Sequence, residues 1–518
     1  MSSSAFGHVL DHSLLYGPLL GSGAYSTASK LVAVTAAISF VAVLYNIAIG
    51  IYNVYFHPLS KFPGPKLAAA FKLYEAFYTV RGQSHKMFAK LHERYGEVVR
   101  YSPDSLSIIN ETAWHDIYMA RHPQMRKSTE VRPVNGAHSI VFAPDDIHAR
   151  QRKVLAHAFS EKALREQEPL IQTYMDLLVK NLREDAEAST QTNITAELNY
   201  LTFDLIGDLT FASPFNALRN REEHPWMTNM FKSIYERTIM GALLGFPIFF
   251  PFLALFAGSL KKGSMRQMEY CLRKVKERIE QGAQRPDFMA QVLKNNDLED
   301  TSKGMTRAEI DITFNTLMSA GSETTATTLS GCMYLLAKNK RVAEKLKTEV
   351  REAFGNGNEI SVVKTNQLSY LLAVIEEALR IYPPVPVPLS RRTPAEGASI
   401  CGQWVPGNTV VGIPQFAANS SPVNFTSPEE FLPERFFPQV DERYAGDRKA
   451  IYQPFSAGPR NCVGRNLAYS EMKLALCRIV YDFDFELVDE GDDWLDQKVY
   501  GLWDKKPLMM RFMERKSG

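Results

Sequence analysis

Between Leu31 and Phe56 this 518-residue chain runs for 26 residues without Asp, Glu, Lys, Arg or His. As a helix rising 1.5 Å per residue, such a run extends ~39 Å and crosses a ~30 Å hydrocarbon core with some tilt. A cleavable signal peptide would place its positive charge ahead of a shorter apolar run of roughly 7–15 residues. Here only Lys30 precedes the run, while Lys61, Lys66 and Lys72 follow it. The positive-inside rule then leaves the N-terminus in the lumen and the body in the cytosol. A buried helix of a soluble domain is the competing reading, to which Asn46 and Asn53 lend weight.

A second uncharged run, Ile239 to Leu260, is interrupted by Gly241, Gly245, Pro247 and Pro251. It reads as an apolar flap that dips into the interface or covers a cavity, with a buried loop as the alternative. The segment Lys61-Phe-Pro-Gly-Pro65 suits a stiff, extended linker. Beyond it there is neither an internal repeat nor a low-complexity stretch. Helical patterns stand out at His148–Phe159, Leu170–Leu182, Met268–Ile279, Met305–Leu336 and Asn366–Ile381, with a strand-like piece at Thr409–Ile413 and a helix from Asn466 to Tyr481.

The chain balances 59 Lys+Arg against 57 Asp+Glu, a formal +2. That near-neutrality argues against nucleic acid as a partner. The cysteines (Cys271, Cys332, Cys401, Cys462 and Cys477) are odd in number and far apart, so neither a disulfide framework nor a zinc pattern fits them. A reducing compartment suits such usage. The four N-x-S/T matches, at Asn110, Asn193, Asn419 and Asn424, would stay unmodified in a cytosolic body.

One cysteine differs in its setting. In Phe455-Ser-Ala-Gly-Pro-Arg-Asn-Cys-Val-Gly464, Cys462 lies just before a helical run, so its sulfur would face the positive end of a helix, with Arg460 nearby. Both favour thiolate over thiol. Gly458 and Gly464 would let backbone approach a flat ligand closely. A thiolate so placed suits axial ligation of haem iron. The stretch resembles the haem-binding signature F-x-x-G-x-R-x-C-x-G of the cytochrome P-450 family at all five fixed positions.

Further segments add to the resemblance. Ala320-Gly-Ser-Glu-Thr-Thr325 interrupts a helical pattern with four weak helix formers, which suggests a local distortion opening a polar notch. It is similar to the family's oxygen-activating motif, in which Glu323 and Thr324 would deliver protons. Glu377-Ala-Leu-Arg380 and Phe431-Leu-Pro-Glu-Arg-Phe436 look like the family's E-x-x-R and P-E-R-F elements, implying a buried cluster of Glu377, Arg380 and Arg435 with a structural role. Where relatives often carry Trp four residues before a basic residue, this chain has His148 before Arg152. Either would reach a haem propionate, as would Arg391, with Arg392 beside it as the alternative.

The resemblance covers roughly residues 57 to 512 and implies a mainly α architecture, one large helical haem domain with a small β-rich side, in place of three domains suggested by length. The expected organisation is a short lumenal N-terminus (1–30), a transmembrane anchor (31–56), a Pro-rich linker (57–66) and a haem-thiolate monooxygenase domain (67–518). Cys462 would ligate the iron, with Phe455, Arg460 and Gly464 completing the haem loop. Tyr55-Phe-His-Pro-Leu-Ser-Lys-Phe-Pro-Gly-Pro65 looks like the anchor junction of fungal members serving secondary metabolism. The implied activity is incorporation of oxygen from dioxygen into a lipophilic small molecule. Electrons would come from NADPH through a separate reductase, since no flavin or nicotinamide motif occurs in the chain. Expected surroundings are the endoplasmic reticulum membrane and a monomeric state. Expected cavity walls are Glu130–Ala143, Phe203–Phe256, Met318–Thr324 and Val385–Leu389. Rival readings are a desaturase, epoxidase or isomerase using the same residues, and a non-catalytic haem sensor that would not need Gly321–Thr324.

Overall fold

The computed structural model describes residues 22–119, 125–129, 133–282, 285–296, 303–437 and 441–515. The first 21 residues of the expected lumenal segment, and Glu130, Val131 and Arg132 of the expected cavity wall, lie outside them. Helix α1 spans Ser22–Tyr55 and from Ser29 onward has mean hydropathy 2.2, with its apolar side chains exposed rather than packed into the body. That is compatible with a membrane anchor. Neither Asn argues for a buried helix: Asn46 Nδ2 donates to the Ala42 carbonyl of its own helix (2.7 Å), and Asn53 Nδ2 to Ala70 in the body (3.0 Å).

The segment expected to be an extended spacer is packed instead. Leu59 and Phe62 are buried, and the Pro63 carbonyl accepts the Arg100 amide at 2.7 Å. A Cβ on Gly64 would come within 2.1 Å of the Arg100 carbonyl oxygen. Arg100 in turn donates to the carbonyls of Asn53 and Pro103, both at 2.7 Å, so the end of α1 is tied to the body.

Eight further helices build or frame the site: α2 (Asp145–Ala156), α3 (Glu161–Glu187), α4 (Ile194–Phe211), α5 (Pro225–Leu243), α6 (Phe250–Glu280), α7 (Arg307–Lys338), α8 (Ser369–Ile381) and α9 (Arg465–Asp482). Four of the expected periodic segments fall within α2 and the 3-10 turn after it, α3, α6 and α9, while Met305–Leu336 and Asn366–Ile381 begin a few residues ahead of α7 and α8. Helix α3 starts at a Ser160 cap and runs through Pro169, which the periodicity had left outside. Helix α7 begins with a reciprocal cap: Thr306 Oγ1 accepts the Glu309 amide (3.2 Å) and Glu309 accepts the Thr306 amide (2.8 Å). The same Glu309 carboxylate receives two bonds from Arg150 of α2, at 2.7 and 2.9 Å, fixing α2 against α7.

The uncharged run 239–260 is the end of α5, a 3-10 turn (Pro247–Phe249) and the start of α6. Pro251 sits in the first turn of α6, where its missing N–H has no intrahelical partner to lose. Leu244, Ile248 and Phe250 are exposed at this corner, and so are Leu73 and Phe77 of the short helix Leu73–Val80, which packs against α5.

The largest sheet has five short strands in the order β1 (Val98–Ser102), β2 (Ser105–Ile108), β5 (Val410–Gly412), β4 (Arg391–Arg392), β3 (Arg126–Lys127). Strands β2 and β5 are parallel and the other pairs antiparallel. The β3–β4 register sets Lys127 opposite Arg391. A hairpin of two strands, Lys498–Tyr500 and Leu502–Asp504, lies against α5.

Candidate haem site

Cys462 lies in the loop entering α9, and its amide donates to the Phe455 carbonyl at 2.9 Å. Its exposed surface opens on an internal cavity. The cavity is bounded by the loop (Phe455, Cys462, Gly464), by α9 (Leu467, Glu471), and by Ala320, Gly321, Thr324 and Thr325 of α7. Ile140, Val141, Ile206, Leu317, Val385 and Leu389 complete apolar walls. Among the described side chains of the expected wall Phe203–Phe256, only Ile206 takes part; Phe203 packs on Phe215 and Trp226 instead.

Burial pushes the Cys462 thiol up from its ordinary value, against the Gly464 amide and the charges of Arg152 and Arg465. This corrects the sequence expectation. Desolvation outweighs the helix start, and Arg460 is turned toward the Asp145 carboxylate (Nε, 3.0 Å) and the Ala143 carbonyl (Nη2, 2.7 Å). Ionisation at this position is left to a bound metal, whose charge deprotonates a coordinating thiol.

Cations gather at one end of the cavity. Arg152 Nη2 donates to Asn461 Oδ1 at 2.6 Å and lines the cavity with His148 and Arg460. The His148 imidazole is pushed down to about 4, by burial first and then by Arg460, Arg152 and Lys127, so it is neutral at neutral pH. Arg391 is buried over the Tyr118 ring (5.0 Å) and bonded to the Leu389 carbonyl (3.1 Å), just behind the lining, whereas Arg392 turns to the Asn408 carbonyl (2.6 Å). Lys127, which the sequence reading missed, lines the cavity and donates to the Val141 carbonyl. Its ammonium is pushed down to about 7 by burial and by Arg391 and Arg460. Asp145 answers this group of cations, and one buried nitrogen of Arg460, Nη1, has no partner. A soft donor, apolar walls and a cationic rim suited to two carboxylates fit a haem.

Gly458 serves another purpose than the expected close approach to a flat ligand. Gly458 has φ +75°, and a Cβ there would sit 2.0 Å from the Tyr118 carbonyl oxygen. Gly321 admits Ile206 of α4, whose Cδ1 would be 2.6 Å from an added Cβ. Helix α7 runs unbroken through this motif. Its hydroxyls bond back to carbonyls four residues earlier, Ser322 to Met318 (2.8 Å) and Thr324 to Ala320 (2.7 Å), so the expected helix distortion is not seen.

Glu323 and Thr324 point to different places, as successive residues on a helix must. Thr324 lines the Cys462 cavity; Glu323 lines a second cleft between α4, α5 and the Lys498–Asp504 hairpin. There Glu323 Oε1 pairs with Lys505 Nζ (2.5 Å) and accepts from Thr327 (3.2 Å), while its buried Oε2 has no partner. Burial raises the Glu323 carboxyl and lowers the Lys505 ammonium, and their mutual attraction opposes both shifts. The expected joint placement at the oxygen-facing wall holds for Thr324 alone.

A second acid was missed. Glu471 of α9 lines the Cys462 cavity, bonds Thr325, and is pushed up to about 8 by burial. Folded and unfolded chains both hold this proton below 4.5, the ordinary value. As pH rises from 4.5 to about 8 the unfolded chain releases it and the folded chain keeps it, so stability falls by about 1.4 kcal/mol per unit. Glu471→Gln is therefore expected to melt higher than the parent near pH 8 but not below pH 4.5. An equal difference at both pH values would contradict this.

The charged cluster is present and larger than expected. Glu377 takes two bonds from Arg380 (2.7 and 2.8 Å), one from Arg435 (3.1 Å) and the Leu432 amide (3.0 Å), with all three side chains fully buried. Asp447, missed in the sequence, pairs with Arg435 at 2.5 Å and balances the charge.

A helical body with a cysteine and a helix-borne threonine lining one apolar cavity with a cationic rim fits a haem-thiolate protein. The chain belongs to the cytochrome P-450 family, whose model matches residues 63–511. It is 41% identical over 481 residues to a cytochrome P-450 monooxygenase of Purpureocillium lilacinum, covering 91% of this chain and 92% of that one. It is 40% identical to averantin hydroxylase of Dothistroma septosporum (91% and 90% covered) and 39% identical to trichothecene C-4 hydroxylase of Trichoderma arundinaceum (90% and 94%). It is a haem-thiolate monooxygenase, and its family uses dioxygen, an organic substrate and a redox partner.

Proposed function

We propose that this chain hydroxylates or otherwise oxidises a medium-sized lipophilic secondary metabolite of a fungus, tethered to the endoplasmic reticulum and facing the cytosol. NADPH would supply electrons through a separate membrane-bound reductase, with the chain acting as a monomer. The observation that carries this reading is the Cys462 sulfur and the Thr324 hydroxyl lining one apolar cavity with a cationic rim. Lys30 ahead of the uncharged run and three lysines after it support the orientation. The exposed apolar corner at Ile248 and Phe250, beside Leu73 and Phe77, suits a second contact with the membrane surface. Relatives named for hydroxylation of averantin and of a trichothecene support the substrate class. The boundaries 31–56, 57–66 and 67–518 are retained as the proposed organisation.

In this reading Cys462 holds the iron, and Arg152, Arg391, Arg460, Lys127 and His148 receive the propionates. Bound haem supplies electron-rich iron on which dioxygen is cleaved. Thr324 presents a hydroxyl beside that reaction space, and the apolar walls exclude water and orient the substrate. Glu323 takes protons from the second cleft, where Lys505 holds its carboxylate. Glu471, the neutral acid beside Thr325, holds a proton nearer the cavity.

The reading is tested by reconstituting the full chain with a fungal reductase in lipid nanodiscs and measuring NADPH use against oxygenated product. Lipophilic candidates would first be screened by their shift of the haem spectrum. NADPH use without product from any candidate that shifts the spectrum would contradict it. Thr324→Ala is expected to load haem normally while releasing more peroxide per NADPH; unchanged coupling would remove Thr324 from proton delivery. Glu323→Gln is expected to slow turnover on the order of 100-fold, the low end for a positioned proton donor, with an enlarged solvent isotope effect. Parental turnover in Glu323→Gln would leave Glu471 as the acid.

A further inference from the structure

Outside the cavity lining, two phenols share one carboxylate. Tyr452 donates to Glu376 Oε2 and Tyr469 to Glu376 Oε1, both at 2.7 Å. Tyr469 packs on Phe455, ring centroids 4.9 Å apart and planes tilted by 46°. Phe455 lines the cavity, and its carbonyl accepts the Cys462 amide. The Arg465 guanidinium stands 5.8 Å from the Tyr469 ring and 5.9 Å from that of Phe455. One aromatic step thus separates the Cys462 loop from a hydrogen-bonded tyrosine pair. Packing alone would be served by phenylalanine at both positions. The shared carboxylate adds a place for a proton.

We infer that Tyr469, with Tyr452 behind it, is a one-electron exit from the haem site, used when dioxygen chemistry has oxidised the haem and no substrate bond receives the oxidising equivalent. Tyr469 loses one electron to the haem through Phe455, and its phenolic proton moves along the hydrogen bond to Glu376. The haem is reduced by one electron, Tyr469 becomes a neutral phenoxyl, and the proton stays on the carboxylate. Tyr452 can then pass an electron to Tyr469. Glu376 returns its proton to Tyr469 and takes that of Tyr452, ending with one proton as before. An electron from the redox partner, with the proton on Glu376, restores the phenol. Burial and the Glu376 charge hold both phenols well above their ordinary values, so the proton leaves with the electron rather than before it. The exit would spare the cavity walls from oxidation during unproductive cycles.

This inference rests on haem bound at Cys462, which the reduced, CO-bound spectrum tests separately. Substrate-free full-length protein would be mixed with a peracid and freeze-quenched for electron paramagnetic resonance. A phenoxyl signal is expected whose splitting collapses when the tyrosine rings are deuterated. Tyr469→Phe and Glu376→Gln should lower it severalfold while the CO spectrum is unchanged, and the haem of both should bleach faster. If Tyr469→Phe does not load haem, Glu376→Gln carries the same test. A phenoxyl signal undiminished in the haem-loaded variants, or none in the parent, would overturn the inference. A parent without the thiolate band would overturn the site beneath it instead.

Discussion

Glu377→Ala is expected to destabilise the fold by about 3–5 kcal/mol and to leave little protein able to hold haem. The size follows from what remains. Arg380 and Arg435 are fully buried, and each loses its bond to the carboxylate. Asp447 compensates Arg435 alone; Arg380 keeps only the carbonyls of Asn419, Pro428 and Glu430. An uncompensated guanidinium in a dry interior costs far more than the ion pair contributes over an apolar substitute. Set against a typical total of about 5–15 kcal/mol, the loss is roughly a fifth or more of the margin. Thermal melting and haem content per polypeptide would measure it. Parental values for both would mean that the cluster is not a structural lock.

Helices were legible wherever their signal is local. The apolar spacing of α7, α8 and α9 is readable in any short window, and those elements appear within a few residues of expectation. The Cys462 loop was legible for the same reason. What escaped depends on partners distant in sequence. Gly321 answers Ile206, and Gly458 answers Tyr118 more than 300 residues earlier, so the first was assigned to a helix distortion and the second to a ligand instead of to a neighbouring element. Lys127 reaches the cationic rim only because β3 pairs with β4. Glu323 and Thr324 were taken as one unit because they are adjacent, yet the helix turns one toward Lys505 and the other toward the cavity. Glu471 is one acid in a stretch, Ser470 to Tyr481, that is buried throughout, and that burial alone gives it meaning. The thiol of Cys462 shows the limit of reasoning from neighbours in sequence: desolvation, which they do not reveal, is the largest influence on it.

The second large effect concerns Cys462 itself. Serine keeps the loop backbone, including the hydrogen bond from its amide to the Phe455 carbonyl, and removes the sulfur. Its alcohol is a far weaker acid than a thiol and no soft donor, so it does not replace a thiolate on iron. The cationic rim and apolar walls remain, and Cys462→Ser is expected to keep its fold and some haem while losing monooxygenase turnover. The most direct measurement is the absorption spectrum of the reduced, CO-bound protein beside that of Cys462→Ser. A red-shifted Soret band of the thiolate type is expected in the parent, and its disappearance in the variant. The same band in both would show that another group ligates the iron.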